Sequence, residues 1–203
     1  IVGGLAVCLL IKSMDFGLDP SIYMIDHLPV DIRPLEFLAV GAVGSMDPRL
    51  EPGGVAVPDQ IVDYTWGRAH SFSAPGEVLH VDFTEPYTPA LRGVLLDAAG
   101  RAGVSVVPDG TYAATQGPRL ETAAEIRRLE RDGCHMVGMT GMPEAGLARE
   151  LQLGYACLAV AVNRAAGKGR GDGIHAEIER SLEAGMQQVR AILAEALSEL
   201  APG

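Results

Sequence analysis

Tyr155-Ala-Cys-Leu-Ala-Val-Ala-Val-Asn163 is the stretch on which the fold turns. From Tyr155 to Val162 it is almost wholly apolar, without the in–out alternation of a strand that has one face in water, and it stops abruptly on a carboxamide. Such a run reads as the interior strand of a sheet covered on both faces. On its N-terminal side, Met136 to Met139 reads as a second buried strand, and Pro143 to Leu151 as a helix with proline and glutamate at its start. On its C-terminal side, His175 to Leu200 sets Ile178, Leu182, Met186, Val189, Leu193 and Leu197 along one side of a long helix.

Further out the alternation continues. Leu5 to Ile11 and Leu35 to Val43 are short apolar runs of strand type, and Val55 to Val57 with Gln60 to Tyr64 reads as strand after the turn Pro52-Gly53-Gly54. Thr88 to Gly103 carries Leu91, Val94, Leu95 and Ala98 at helical spacing and stops at glycines. Val104 to Val107 and Thr111 to Thr115 are strand-like. Glu121 opens a helix through Leu129, with acids in its first turn, where the helix dipole favours them. Strands and helices in alternation predict one α/β domain over residues 1–203, a central mixed β-sheet flanked by helices, with residues 1–34 its divergent or incomplete part.

Composition narrows the ligand. A net charge of −10 lacks the basic footprint that a nucleic-acid polymer requires, while backbone N–H groups and a helix N-terminus still suffice for a small anion. Cys8, Cys134 and Cys157 form no close pair, which argues against a disulfide scaffold or a zinc site and predicts a cytoplasmic protein with no metal. No apolar run has membrane-spanning length, and Ile1 to Leu10, broken by Gly3 and Gly4 and lacking a basic start, does not read as a signal peptide.

In α/β sheets ligands collect where strands end. Three apolar strands here run into small or polar residues: Leu38–Val40 into Gly41-Ala42-Val43-Gly44, Met136–Gly138 into Met139-Thr140, and Ala159–Val162 into Asn163. The segments Thr115-Gln-Gly-Pro-Arg-Leu-Glu-Thr122, Val137-Gly-Met-Thr-Gly-Met-Pro-Glu144 and Tyr155 to Asn163 resemble the trimeric purine nucleoside phosphorylases, a group that includes the methylthioadenosine and methylthioinosine phosphorylases. Gly44-Ser-Met, Asp59-Gln-Ile-Val-Asp63 and His80-Val-Asp-Phe-Thr-Glu-Pro-Tyr87 follow in the family's order, and the match covers about residues 35–200. Leu120-Glu-Thr and Val162-Asn-Arg-Ala-Ala-Gly-Lys168 are nearest the methylthioinosine type.

The resemblance implies phosphorolysis of a purine nucleoside, with inorganic phosphate as co-substrate, no cofactor and a homotrimeric assembly. Breaking an N-glycosidic bond leaves negative charge on the departing purine, so the site must steady an anionic base. On this reading Asn163 holds the base, as an amide that both donates and accepts; the adenine-specific relatives carry aspartate there, so Asn163 favours a 6-oxopurine. A lone asparagine at a strand end also serves as a turn residue. Glu121 would accept from purine N1–H, or serve as a first-turn acid, or both. Met139 would lie against the ribose, with core filler as the plainer role, and Thr140 would bind phosphate. Ala42, Val43 and Gly44 would offer backbone to phosphate and base, and Leu120 would contact substrate. His80, supplied by a neighbouring subunit, and His175 point to different 5′ substituents, and Phe72 would reach a neighbour's sugar.

The family's opening Gly-Gly-Thr-Gly and its Arg-His-Gly phosphate motif do not occur here: Gly3-Gly4 is followed by Leu5, and Lys12-Ser13-Met14 follows the first strand. An ammonium at Lys12 replaces charge without the bidentate fork of a guanidinium. Beside the 6-oxopurine nucleoside phosphorylase, three other functions stand at this point: an S-methyl-5′-thioadenosine phosphorylase, a hydrolytic nucleosidase and a non-catalytic nucleoside-binding homologue.

Overall fold

The computed structural model describes residues 9–11, 36–74, 76–169 and 174–200, with the backbone alone at 9–11 and 174–176. The strands are β1 (Leu9–Ile11), β2 (Glu36–Ser45), β3 (Val55–Ala56), β4 (Gln60–Asp63), β5 (Val106–Val107), β6 (Thr111–Ala114), β7 (Met136–Gly138) and β8 (Gly154–Arg164). The helices are α1 (Pro89–Arg101), α2 (Ala123–Arg131), α3 (Gly141–Glu150) and α4 (Ile174–Leu200). The strands form one mixed sheet in the order β4-β6-β7-β2-β8-β3-β5, with β1 antiparallel to the first half of β2. β2 and β8 run parallel over their whole length, from Glu36 opposite Gly154 to Ser45 opposite Arg164, and form the spine of the sheet.

Side-chain alternation on β8 explains why its sequence shows no polar face. Ala156, Leu158, Val160 and Val162 point to one side, into a core with Leu91 and Leu95 of α1 and Val189, Ile192 and Ala196 of α4. Tyr155, Cys157, Ala159 and Ala161 point to the other, against Tyr112, Met136 and the α3 residues Met142, Ala145 and Ala148. A third cluster, with Ile126 and Leu129, seats α2 on Ala113 and Val137.

The expected mixed sheet flanked by helices is the architecture found, with three local differences. Val55–Val57 and Gln60–Tyr64 are not one strand: β3 pairs with β8 and β5, whereas β4 lies at the opposite edge on β6. Pro58 stands between them, and a proline cannot donate to a ladder. On α4 the buried stripe passes through Ile192 and Ala196, and Leu182 is left exposed. Glu121 lies outside α2 altogether. The N-cap is Thr122, whose hydroxyl accepts from the Glu125 N–H while the Glu125 carboxylate accepts from the Thr122 N–H. That capping box assigns the first-turn acid to Glu125 and leaves Glu121 free of the role.

Candidate active site

The spine strands and β7 bring the three strand ends together. Gly44 of β2 faces Asn163 of β8, after a register slip at Val43/Gly44, and pairs on its other side with Val137 of the antiparallel β7. Because β7 runs the opposite way, the residues after it turn back along β2. A Cβ built on Gly41 would lie 3.4 Å from Thr140 Oγ1, and one on Gly138 would lie 3.2 Å from the Ala42 carbonyl oxygen. Ala42 is exposed between the buried Gly41 and Val43. The Val43 side chain is in the core, so at this strand end Val43 offers a ligand only its backbone.

Asn163 is 7% exposed. Its Nδ2 donates to the Arg164 carbonyl at 2.6 Å and stands 3.5 Å from where a Cβ of Gly44 would be, so the amide lies in van der Waals reach of the β2 backbone at Gly44. Among the described residues no hydrogen bond reaches Oδ1, which leaves one acceptor and one N–H of the carboxamide for a ligand.

Released from the helix, Glu121 is held from another direction. Thr115, just past β6, donates its hydroxyl to Glu121 Oε1 at 2.7 Å, and the Gly138 carbonyl lies 3.2 Å from the Thr115 hydroxyl oxygen as a second acceptor. One carboxylate oxygen is thereby fixed, and no hydrogen bond among the described residues reaches the other. Leu120 beside it is exposed. Met139 is half-buried with its sulfur over Gly117, where an ideal Cβ would come within 2.5 Å of Sδ. Gly117 also has φ +64°, so glycine at this turn both permits the backbone and makes room for Met139.

Thr140 stands at the N-cap position of α3, yet its hydroxyl caps no helical N–H. The oxygen lies 3.5 Å from the Tyr112 hydroxyl. Burial pushes the Tyr112 phenol up to about 12, so it stays protonated at neutral pH. Behind it, Tyr155 donates to Glu144 Oε1 at 2.7 Å, and burial raises the Glu144 carboxyl above its ordinary range. α3 is non-helical at Met142, so its regular part begins at Pro143 as the sequence suggests.

This packing makes Gly138 sensitive. A methyl there would stand 2.1 Å from the Tyr112 hydroxyl oxygen, and Tyr112 is 1% exposed and has no room to swing away. Gly138→Ala is expected to destabilise the fold by about 1–3 kcal/mol through overpacking. Removing the obstructing oxygen in Gly138→Ala/Tyr112→Phe should recover part of it. Urea unfolding midpoints check both, and a wild-type midpoint for the single variant contradicts the packing described.

Not every expected residue joins this group. His80 is exposed on the irregular segment between β4 and α1 and makes no hydrogen bond among the described residues. Phe72, 61% exposed on the same segment, donates its backbone N–H to Glu150 Oε2 at 2.8 Å. His175 falls on the first turn of α4 where the backbone alone is described, so its side chain lies outside the described residues, as do Gly3, Gly4 and Lys12. Sequence pattern alone assigns no role to Thr115, Tyr112 or Arg68. Thr115 was visible as a polar residue at a strand end; Arg68, in an aperiodic segment, carries no local signal. Among the described residues no cluster of three or more His, Cys, Asp or Glu could hold a metal ion, and no helix is long and apolar enough to cross a membrane.

In sequence and in fold the chain is similar to known proteins. Residues 21–198 match the sequence profile of the Phosphorylase superfamily. Over 163 residues the chain is 56% identical to a probable S-methyl-5′-thioinosine phosphorylase of Pseudomonas syringae pv. tomato, covering 79% of this chain and 66% of that protein. It is 47% identical over 148 residues to the 6-oxopurine nucleoside phosphorylase of Pyrococcus furiosus, covering 70% of this chain and 56% of that one. The methylthioadenosine phosphorylase of Schistosoma mansoni, solved with adenine, superposes with a TM-score of 0.76 at 30% identity, over 80% of this chain and 65% of its own. The chain thus spans between about half and two thirds of the length of the relatives it matches. The resemblance carried by its spaced motifs is thereby borne out, and the chain belongs to the phosphorylase superfamily.

Proposed function

We propose that the protein transfers the pentosyl group of a 6-oxopurine nucleoside, S-methyl-5′-thioinosine or inosine and guanosine, to inorganic phosphate. The carrying observation is a buried carboxamide, Asn163, at the end of a central strand of the sheet in which the loops after β6 and β7 bear an acid, Glu121, and a hydroxyl that caps no helix, Thr140. As the glycosidic bond breaks, its electron pair passes to the base. Asn163 donates to the ring nitrogen that gains charge, and the free Glu121 oxygen accepts from N1–H. Met139 backs the ribose, and Thr140 with the backbone at Ala42 receives the phosphate that attacks the anomeric carbon. Neutral donors set in place before the charge develops stabilise the transition state without reorganising. The names of the relatives, 6-oxopurine and methylthioinosine phosphorylases, support the same substrate class.

The assembly we propose is a homotrimer in which a neighbouring copy covers Trp66, Phe72, Val78 and Leu79, exposed by 72, 61, 78 and 54%, and His80 serves that copy's site. A cytoplasmic place in purine salvage, with no cofactor beyond phosphate, completes the reading. Base release from S-methyl-5′-thioinosine and inosine, measured with and without phosphate, tests it. Release is expected only with phosphate, in step with pentose 1-phosphate. Equal rates in its absence indicate hydrolysis, and binding without turnover indicates a non-catalytic homologue; either outcome overturns the proposal.

A further inference from the structure

The loops after β6 and β7, which bear Glu121, Met139 and Thr140, are tied to each other by a residue of neither. Arg68 lies in the irregular stretch after β4, half-buried, one residue beyond Gly67. Its Nε donates to Gln116 Oε1 at 3.2 Å, and its Nη2 to the carbonyls of Thr115 and Gln116 at 3.1 and 2.9 Å. Its Nη1 donates to the Met139 carbonyl at 2.7 Å and also to that of Met142. All five acceptors are neutral amide oxygens, four from the loops that follow β6 and β7 and the fifth from Met142, the non-helical residue at the start of α3. The Trp66 N–H donates to the same Gln116 Oε1 at 3.1 Å, fixing that side chain from the Arg68 segment.

A guanidinium half-removed from water and spent wholly on neutral carbonyls gains little from charge pairing. What it supplies is geometry: a rigid planar fork of five N–H groups. We propose that Arg68 is a positioning residue for the transfer reaction. By holding the Met139 carbonyl it sets the Met139–Thr140 peptide, and by holding Thr115 and Gln116 it sets the turn from which Glu121 is braced. It thereby fixes the separation between the group that receives phosphate and the group that receives the base. The inference rests on the function proposed above for Thr140 and Glu121. Reaching both loops at once requires the fork; the compact ammonium of lysine, with three donors at one point, cannot span them.

Steady-state kinetics of Arg68→Ala and Arg68→Lys, with and without added ethylguanidinium, test this. A misplacement on the scale of an ångström costs about 100-fold in rate. Arg68→Ala is therefore expected to lose about 100-fold in kcat, with KM for nucleoside and for phosphate changing far less. Arg68→Lys is expected to behave like the alanine variant although it keeps the charge. Ethylguanidinium should restore Arg68→Ala several-fold and leave the wild type unaffected. Wild-type kcat in Arg68→Lys overturns the proposal, as does a loss in Arg68→Ala that merely follows the folded fraction measured by circular dichroism and is not rescued. Hypoxanthine affinity, by calorimetry, supplies a readout apart from turnover and is expected to fall in both variants; unchanged affinity in both counts against the proposal. A wild type that releases base without phosphate sinks the phosphorylase reading alone, because the rescue is scored on base release whatever the acceptor.

Discussion

Asn163→Ala is expected to lower kcat by about 100- to 1000-fold, the usual consequence of removing one preorganised donor from a group that gains charge in the transition state. The fold should survive the change. Asn163 makes its backbone pairing to Gly44 whatever its side chain, and the one side-chain hydrogen bond lost is the 2.6 Å contact to the neighbouring Arg164 carbonyl. A net cost of about 1 kcal/mol follows from that loss, too little to unfold a domain of this size. The variant separates two roles that a strand-end asparagine can play. If the amide serves only the local turn, turnover follows the folded fraction; if it serves the leaving base, kcat collapses while the melting curve scarcely moves. Asn163→Asp sharpens the test because it keeps shape and exchanges the donor NH2 for a second acceptor oxygen. Its kcat/KM ratio for inosine over adenosine should fall, and an unchanged ratio removes Asn163 from the base-recognition role.

Leu158→Ala should carry the largest stability loss, about 2–5 kcal/mol. The residue is 1% exposed, midway along β8, and is packed in the cluster shared with Leu91, Leu95, Val189 and Ile192. A truncation there opens a cavity where two helices meet the spine of the sheet, and neither helix can settle inward without dragging the other. Leu151→Ala is the matched control: the same chemistry at a residue 48% exposed should move the midpoint scarcely at all. Equilibrium urea unfolding with equal m-values reads both. Near-equal midpoints for the two variants contradict the placement of the core. Activity per folded molecule should be retained in Leu158→Ala, since the side chain points away from Tyr112 and Thr140 to the α1 and α4 side.

The strands and helices were legible wherever hydrophobic pattern and turn residues agreed. β8 was visible because a strand covered on both faces must be apolar throughout, and α1 because its stripe stops at glycines. A local pattern that fits two placements does not choose between them. Val55 to Tyr64 reads as one extended stretch, and only the partners available on each edge of the sheet divide it at Pro58. Glu121 and Glu125 look alike as acids ahead of a helix. Which one belongs to the helix depends on the φ and ψ of Thr122 and on its reciprocal bonds with Glu125. Leu182 likewise fits the helical spacing of the stripe, but the buried positions of α4 run beside it, through Ser181, Val189, Ile192 and Ala196.

By itself the sequence determined the class of fold, the strand-end character of Gly41–Gly44, Met139-Thr140 and Asn163, and the family, because each rests on residue type and order along the chain. Tertiary structure alone decided that these ends converge, since an antiparallel β7 returns Thr140 to Gly41 while a parallel β8 brings Asn163 to Gly44. It alone joined Thr115 to Glu121 and Arg68 to both loops. The physical reason is that hydrogen bonds between segments far apart in the chain leave no periodicity in it: whether a lone threonine or arginine is solvated or structural depends on which acceptors folding carries to within 3 Å of it.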